Sequence, residues 1–362
     1  MIPPLAIGDS VVANPLFKTL HASFPLTRTT VVVRQALAPL YRLYRGVDLV
    51  VCAGEAFFDG DPVALTEVAS HTALTRHFDI ALDLHCTLPC RSLMCTISAE
   101  RKIGMDFFPG EACPYSVCVP HFPPVENRSA VDLYLDYARS IDAKVLDTNT
   151  GVDLARLPPV TSPSTSATLG RLHGHLVIAL LLAGGDWHKR YPPELVTRLI
   201  AQCPDPDVRM VAIFGSDEIP SYEPFVPAWR GVVAGGQLEI AHASITDMIH
   251  LLRISAGAIA NDCGFMHIAV SLGLPTLALF GPSEPLAWFP YGDAQRHALV
   301  GDVTCRPCYG AERQACSRNR CMEDFSAEVI WAELGRLIKG GAGSEPRRAP
   351  SVKIHARTRR RA

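Results

Sequence analysis

The strongest constraint on the fold is an alternation of short apolar runs with helix-like segments, and it occurs twice along the chain. Thr29–Val33 and Phe78–Leu84 are strand-like runs of the first half. Leu176–Ala183, Val208–Phe214 and Thr276–Phe280 are strand-like runs of the second half. Strands that alternate with helices form parallel sheets covered by helices. The sequence therefore predicts an α/β protein with two parallel sheets and a cleft between them.

Length and composition agree with two folded domains. The chain has 362 residues, and a domain takes roughly 150. Residues 158–168 are rich in Pro, Ser and Thr and lack an apolar period, which predicts a linker. We therefore expect an N-terminal domain over residues 1–160 and a C-terminal domain over residues 170–339. Residues 340–362 form a basic tail without hydrophobic periodicity, for which we expect disorder.

Charge is distributed unevenly along the chain. The formal net charge is −2, but residues 340–362 contain seven Lys or Arg and one Glu, a local +6 that leaves −8 for the remainder. An acidic body gives no field that attracts nucleic acid, so no nucleic-acid partner is expected. Hydrophobic residues make up 48% and charged residues 19%, which excludes a largely disordered chain.

No run of the sequence approaches the ~20 apolar residues of a membrane-spanning helix, and the first residues lack the basic start and apolar stretch of a signal peptide. The expected location is the cytoplasm. Without an export signal, the 12 cysteines are interpreted as thiols or metal ligands rather than as disulfides.

The segment Ala260–Pro285 carries the clearest chemical signal. A strand ends at Ala260, Asn261-Asp262-Cys263-Gly264 form a turn, and a helix begins near Phe265. Free N–H groups at such a helix start bind anions, and Gly264 would let a phosphate approach the backbone. The alternative is an ordinary strand–turn–helix in which Asp262 caps the helix.

This segment, with Phe280-Gly281-Pro282 at its end, resembles the D-S/T-G-x-x-H-x-A turn and F/Y-G-P-T of glycosyltransferase family 9, the ADP-heptose:lipopolysaccharide heptosyltransferase family. Further landmarks of that family follow in its order over residues 6–339. They are Gly8-Asp9-Ser10-Val11-Val12 through Pro15, Phe78–Leu84, Arg91-Ser92, Lys102-Ile103-Gly104, Lys189-Arg190-Tyr191-Pro192, Gly215-Ser216-Asp217-Glu218 and Trp288-Phe289-Pro290.

The resemblance implies the GT-B architecture, in which two Rossmann-like domains face a cleft and the C-terminal one holds the donor. It also implies inverting transfer of a heptose from ADP-heptose to the lipopolysaccharide inner core, with no cofactor required for catalysis. Asp9 matches the family's catalytic Asp and would deprotonate the acceptor hydroxyl. A cap for the first helix is the alternative role for Asp9.

Donor-binding roles are implied for six residues of the C-terminal half. Lys189 would face the diphosphate, where a point charge offsets the negative charge of the leaving group. The acidic Glu218 would accept bonds from the ribose. The turn residues of the donor site are Asp262, Cys263, Gly264 and His267.

The chain departs from the family at several of these positions. Gly184-Gly185 stand where hydroxyl residues are common, Cys263 replaces Ser or Thr, and Tyr191 replaces Trp. The family's first strand runs for several apolar residues before the Gly-Asp, whereas here Met1–Ile7 include two prolines, which do not suit a central strand. Either the first strand is short or the natural start lies upstream.

Two other patterns could bind metal. Cys305, Cys308, Cys316 and Cys321 lie within seventeen residues and open with C-x-x-C, which suits structural zinc or iron or, alternatively, four reduced thiols in a compact loop. Two Asp-x-Asp matches, Asp59-Gly60-Asp61 and Asp205-Pro206-Asp207, lie in turn-like sequence and are interpreted as turn residues rather than a metal site.

The expected partners are ADP-heptose or a similar nucleotide sugar and a lipid-anchored core oligosaccharide. The basic tail would give peripheral contact with the inner face of the membrane, or it is a solubilising end without a partner. Two other functions stay open: a transferase of the same fold with another nucleotide sugar or a protein acceptor, and a non-catalytic module that binds a sugar nucleotide.

Overall fold

The computed structural model describes residues 1–105, 114–120, 128–182, 184–215, 226–289, 296–308, 310–340 and 351–354. The chain divides into two compact units, Met1–Leu157 (unit 1) and Pro158–Ala362 (unit 2). No helix among the described residues is both long and apolar enough to cross a membrane.

Unit 1 is built from short parallel strands and helices. Its strands are β1 (Thr30–Arg34), β2 (Leu49–Ala53), β3 (Phe78–Leu82), β4 (Ala99–Met105) and β5 (Val117–Val119). Its helices are α1 (Ile7–Val12), α2 (Asn14–Ser23), α3 (Ala38–Tyr41), α4 (Glu55–Phe58), α5 (Pro62–Ala69), α6 (Leu88–Thr96) and α7 (Ala130–Arg139), with 3-10 turns at Gln35–Leu37 and Leu154–Arg156. Strand β1 pairs with β2, and β3, β4 and β5 pair in that order; all pairs are parallel.

Met1 and Ile2 lie between β1 and β3. The N–H of Ile2 donates to the carbonyl of Leu82 at 2.8 Å, and the N–H of Val32 donates to the carbonyl of Met1 at 2.9 Å. A cavity of about 310 Å³ lies beside these two residues, with mostly apolar walls. Among the described residues, only Met1 and Ile2 therefore bridge β1 and β3 in strand-like pairing. Pro3 and Pro4 follow this pairing, as expected for residues without an N–H group to donate.

Unit 2 contains one seven-stranded sheet. Its strands are β6 (Leu176–Leu181), β7 (Val208–Phe214), β8 (Leu238–His242), β9 (Gly257–Asn261), β10 (Thr276–Phe280), β11 (Arg296–Val300) and β12 (Ser351–Ile354). Its helices are α8 (Pro163–Leu172), α9 (Pro193–Ala201), α10 (Val226–Ala234), α11 (Ile245–Arg253), α12 (Gly264–Ser271), α13 (Pro285–Trp288), α14 (Gly310–Gln314), α15 (Arg320–Glu323) and α16 (Ala327–Gly340), with a 3-10 turn at Trp187–Lys189.

The strand order of this sheet is β12-β11-β10-β9-β6-β7-β8, and every pair is parallel. Strands β9 and β10 are buried along their whole length, as is usual where helices cover both faces of a parallel sheet. Helix α16 packs on these two strands so closely that a Cβ on Gly257 would lie 3.0 Å from Ile338. The core of unit 2 therefore sits between the sheet and its flanking helices.

Two predictions about the segments between and after the domains are wrong in part. The expected linker over residues 158–168 becomes helix α8 from Pro163 onward, because the Ser162 hydroxyl accepts from the N–H of Thr165 and caps the helix. The tail was expected to be disordered, but Ser351–Ile354 pairs with β11, whose edge offers unpaired backbone groups. Residues 341–350 and 355–362 lie outside the described residues.

Candidate functional site

The strand order of unit 2 defines where a ligand is expected. Strand β6 pairs with β7 on one side and with β9 on the other, so the order of connection reverses between β6 and β9. Ligands of open parallel sheets bind beyond the carboxyl ends of the strands at such a switch point. Lys189 follows β6 and Asp262 follows β9. The sheet therefore brings these two predicted residues to one place.

The side chain of Asn261 joins the loop that follows β6 to the loop that follows β9. Asn261, fully buried at the end of β9, donates through its side-chain amide to the carbonyl of Leu182 and accepts from the N–H of Tyr191 at 3.1 Å. The phenol of Tyr191 in turn donates to the carbonyl of Phe325 at 2.8 Å. Tyr191, which replaces the usual Trp, is therefore a buried anchor of the loop that carries Lys189.

Lys189 and Asp262 form an ion pair at the switch point. The Nζ of Lys189 lies 2.6 Å from Oδ2 of Asp262, whose side chain is only 4% exposed. Burial alone would raise the pKa of Asp262, but the Lys189 charge, the Ser283 hydroxyl and His267 outweigh it and lower the pKa. Asp262 is thus an ionised carboxylate that holds the ammonium in place, and its role as a plain helix cap is not what the structure shows.

Ser283 is a member of this site that the sequence analysis did not single out. Its fully buried hydroxyl donates to Oδ2 of Asp262 at 2.5 Å. It directly follows Gly281-Pro282. Its hydroxyl after this turn was the one sequence feature that could have indicated a site residue, but serine is common in turns. Trp288, in the adjoining helix α13, places its ring 5.9 Å from the Lys189 ammonium, within the range of a cation–π contact.

His267 lies one turn into helix α12 and is buried. Burial lowers the pKa of His267 to about 4, although the Asp262 carboxylate acts in the opposite direction and Lys189 adds to the lowering. At neutral pH the imidazole is therefore neutral, and its Nδ1 is buried without a hydrogen-bond partner among the described residues.

Cys263 and Gly264 form the start of helix α12. Cys263 occupies the N-cap position with extended backbone, but no side-chain cap bond forms, and its thiol points to the carbonyl of Leu181 at 3.8 Å. The first N–H groups of the helix thus start beside the Lys189–Asp262 pair. Free N–H groups of this kind, together with a cation, are suited to bind phosphate oxygens.

Two predicted site residues remain, Glu218 for the donor and Asp9 for the acceptor. Glu218 falls within residues 216–225, outside the described residues, and its ribose role stays a prediction. Asp9 lies in unit 1, as the third residue of α1. The alternative that Asp9 caps this helix is wrong: Ala6 is the N-cap residue, and no side-chain cap bond forms.

Asp9 borders an open pocket of about 830 Å³ in unit 1. The phenol of Tyr134 donates to its Oδ1 at 3.3 Å, a contact between residues 125 positions apart that no local pattern predicts. His85 and Arg34 also line the pocket, and burial together with the Arg34 charge lowers the pKa of His85. The pocket thus presents one half-buried carboxylate to whatever enters it.

The four clustered cysteines line one cavity of about 590 Å³ in unit 2. Among the described residues, no three His, Cys, Asp or Glu side chains are gathered as a metal would require. Burial and the neighbouring thiols raise the pKa of Cys321 to about 11. As placed, the four cysteines line one cavity without forming the gathered ligand set that a zinc or iron ion requires.

The two Asp-x-Asp matches are turn residues, as predicted. Asp61 caps α5 by accepting from the N–H of Ala64 at 2.8 Å, and Asp205 accepts from the N–H of Asp207 at 2.9 Å.

Comparison with known proteins identifies the fold and the family resemblance. A crystal structure of a glycosyl transferase family 9 protein from Veillonella parvula matches with a TM-score of 0.74 at 18% identity, covering 94% of this chain and 96% of that one. The E. coli ADP-heptose LPS heptosyltransferase II matches with a TM-score of 0.69 at 16% identity, covering 94% and 98%. The architecture is therefore the GT-B fold of glycosyltransferases, as predicted.

The resemblance to glycosyltransferase family 9 is confirmed as well. The model of that family, described as "Glycosyltransferase family 9 (heptosyltransferase)", matches residues 236–317. Lipopolysaccharide heptosyltransferase 1 of Pseudomonas aeruginosa is 30% identical over 148 residues, which are 40% of this chain and 39% of that protein. The matched segment thus spans about two fifths of this curated relative.

Proposed function

We propose that this protein is an inverting glycosyltransferase that transfers heptose from ADP-heptose to the lipopolysaccharide inner core. The observation that carries the proposal is the Lys189–Asp262–Ser283 cluster at the switch point of a GT-B sheet, inside a chain that matches the heptosyltransferase family. The names of two relatives supply the sugar and the lipopolysaccharide: one is called a lipopolysaccharide heptosyltransferase, and the other an ADP-heptose LPS heptosyltransferase. The inner core as acceptor is what the family resemblance implies.

On this proposal unit 2 holds the nucleotide sugar. The Lys189 ammonium and the first N–H groups of α12, at Gly264, face the diphosphate, where negative charge grows as ADP departs. Cys263 contributes backbone rather than a hydroxyl, and neutral His267 offers its ring nitrogen as a hydrogen-bonding group. Glu218 accepts hydrogen bonds from the ribose hydroxyls.

Asp9 in unit 1 is the general base. It takes the proton of the acceptor hydroxyl as that oxygen forms a bond to the anomeric carbon, while the bond from that carbon to the diphosphate oxygen breaks. Direct displacement inverts the configuration at the anomeric carbon. Asp9 is half-buried beside an open pocket, so an acceptor hydroxyl has access to it. A positioned base of this kind contributes about 10²–10⁴-fold to the rate.

The proposed place of action is the cytoplasmic face of the inner membrane, where a lipid-anchored core oligosaccharide is available. The seven cationic residues of 340–362 would make peripheral contact with anionic lipid. Most of them lie outside the described residues.

The test is a donor panel. Purified protein is incubated with a truncated inner-core acceptor and ADP-heptose, UDP-glucose or GDP-mannose, and release of nucleoside diphosphate is followed. The proposal expects acceptor-dependent release from ADP-heptose alone. Release from another donor would favour a same-fold transferase of different specificity, and binding without release would favour a non-catalytic module.

A further inference from the structure

The segment with the four cysteines, residues 304–321 (the cysteine segment), is attached to both loops that build the donor site. Its first attachment is Arg313. The guanidinium donates through Nη1 to Oδ2 of Asp186 at 2.8 Å and through Nη2 to the carbonyl of Cys308 at 3.0 Å. Asp186 starts the 3-10 turn that ends at Lys189. One planar guanidinium thus joins the cysteine segment to the lysine loop.

The carboxylate of Asp186 also contacts the 3-10 turn that ends at Lys189. Its Oδ1 accepts from the backbone N–H of His188 at 3.0 Å and contacts the Nδ1 of that histidine at 2.8 Å. Burial would raise the pKa of Asp186, but His188 and Arg313 outweigh it and lower the pKa. The carboxylate therefore stays charged and holds the turn at its start.

A second attachment brackets Lys189 from the other side. The side-chain amide of Asn319 donates to the carbonyls of Trp187, at 3.3 Å, and Arg190, at 3.1 Å. Asn319 is 8% exposed. The backbone on both sides of Lys189 is therefore tied to the cysteine segment.

The third attachment reaches the loop of Ser283. Arg306 donates through Nε to the carbonyl of Gly281 at 2.8 Å and through Nη2 to the carbonyl of Ser283 at 2.7 Å. The N–H of Cys308 donates to the carbonyl of Pro282 at 2.9 Å. Three consecutive carbonyls of this turn thus receive hydrogen bonds from the cysteine segment, and the Ser283 hydroxyl is aimed at Asp262 from that fixed backbone.

We propose that Arg306, Arg313 and Asn319 are positioning residues that set Lys189 and Ser283 around Asp262. The proposal rests on the donor-binding function given above. A lysine has a long, flexible side chain, so an ammonium that meets a diphosphate gains from a fixed backbone beneath it. Displacing such a group by 1 Å can lower a rate by about 10²-fold.

The experiment is a double-mutant cycle on binding of ADP, measured by calorimetry. Arg313→Met is made in the natural chain and in a Lys189→Met background. If Arg313 acts through Lys189, its loss weakens ADP binding about tenfold in the natural chain and less than twofold once Lys189 is gone. Equal weakening in both backgrounds, or none in the natural chain, would overturn the proposal.

Matched variants separate positioning from general destabilisation. Arg318→Met removes another arginine of the cysteine segment, whose guanidinium pairs with Glu323, and ADP binding should stay unchanged. Asp186→Asn keeps the shape of the turn and, being 30% exposed, gives a second route if Arg313→Met does not fold. Its effect should likewise depend on Lys189. Failure of the natural chain to bind ADP would instead contradict the proposed function.

Discussion

The ammonium of Lys189 lies 2.6 Å from the carboxylate of Asp262, although the two residues follow different strands, β6 and β9. The Asp262 side chain is almost completely removed from water, so its negative charge is stabilised mainly by the Lys189 ammonium. A diphosphate that enters this place meets a cation already oriented by a buried anion. This pre-organisation is the physical basis of the proposal that unit 2 binds the donor.

Replacing Lys189 by Met should weaken ADP-heptose binding and slow transfer together. A charge-assisted bond to phosphate is lost, which costs roughly 1–3 kcal/mol. Isothermal calorimetry and initial rates measure the two effects. Unchanged affinity and turnover in a folded Lys189→Met protein would remove Lys189 from the donor site.

His267 should make stability depend on pH. Its pKa is about 4 in the folded protein and near 6.5 when unfolded, so the unfolded chain binds more protons between these values. Stability therefore rises with pH across this window and levels off above it. From pH 5 to pH 7, urea unfolding should show a gain about 2 kcal/mol larger for the natural chain than for His267→Gln. Identical pH profiles would contradict the assignment of a buried neutral imidazole.

Cys263 occupies an N-cap position without forming a cap, so a hydroxyl should improve it. Cys263→Ser should raise the free energy of unfolding by about 0.5–1 kcal/mol, because the serine oxygen can accept from a first-turn N–H of α12. The same exchange at the exposed Cys95 serves as control and should change little. A loss of stability at position 263 would show that the thiol contact with Leu181 matters more than the cap.

The basic tail should bind anionic vesicles in a salt-sensitive way. Each Lys or Arg near such a surface contributes about 1 kcal/mol. A version ending at Ile354 keeps strand β12 but lacks Arg357 and Arg359–Arg361, and its sedimentation with phosphatidylserine vesicles should fall. Equal sedimentation of both versions would leave the tail without a membrane role.

Asp9→Asn should lower turnover by about 10²–10⁴-fold while donor affinity stays near that of the natural chain, because the base acts on the acceptor. Tyr134→Phe, which removes only the hydrogen bond to Asp9, should have a smaller effect. Near-normal turnover of the Asp9→Asn protein would exclude Asp9 as the base.

The α/β architecture with parallel sheets could be predicted from the sequence, because the hydrophobic periodicity of strands and helices depends only on neighbouring residues. The sequence also placed Lys189 and Asp262 after strands, and the resemblance to glycosyltransferase family 9 implied that both bind the donor. Their direct contact could not be predicted, since it depends on which strands become neighbours at the switch point. Contacts between remote loops, such as Arg313 with Asp186, have no local signal at all.

Two predictions based on general sequence patterns were wrong because the actual first residue of a helix differed from the expected one. Residues 158–168 have the content of a linker, yet Ser162 followed by Pro163 is a helix start signal, and α8 begins there. Asp9 before an apolar run suggested a cap, but the helix begins at Ile7, two residues before Asp9, and Ala6 is the N-cap residue. In both cases the position of the first helical residue, which sequence patterns fix poorly, decided the outcome.

The product of a single reaction shows whether the protein transfers heptose with inversion. The protein, ADP-heptose and a truncated inner-core acceptor are incubated, and the acceptor is analysed by mass spectrometry and NMR. If the protein transfers heptose by direct displacement, the acceptor gains the mass of one heptose residue, and the configuration at its anomeric carbon is inverted relative to the donor. An unmodified acceptor from folded protein that binds ADP, or a product with retained configuration, would show that this mechanism is wrong.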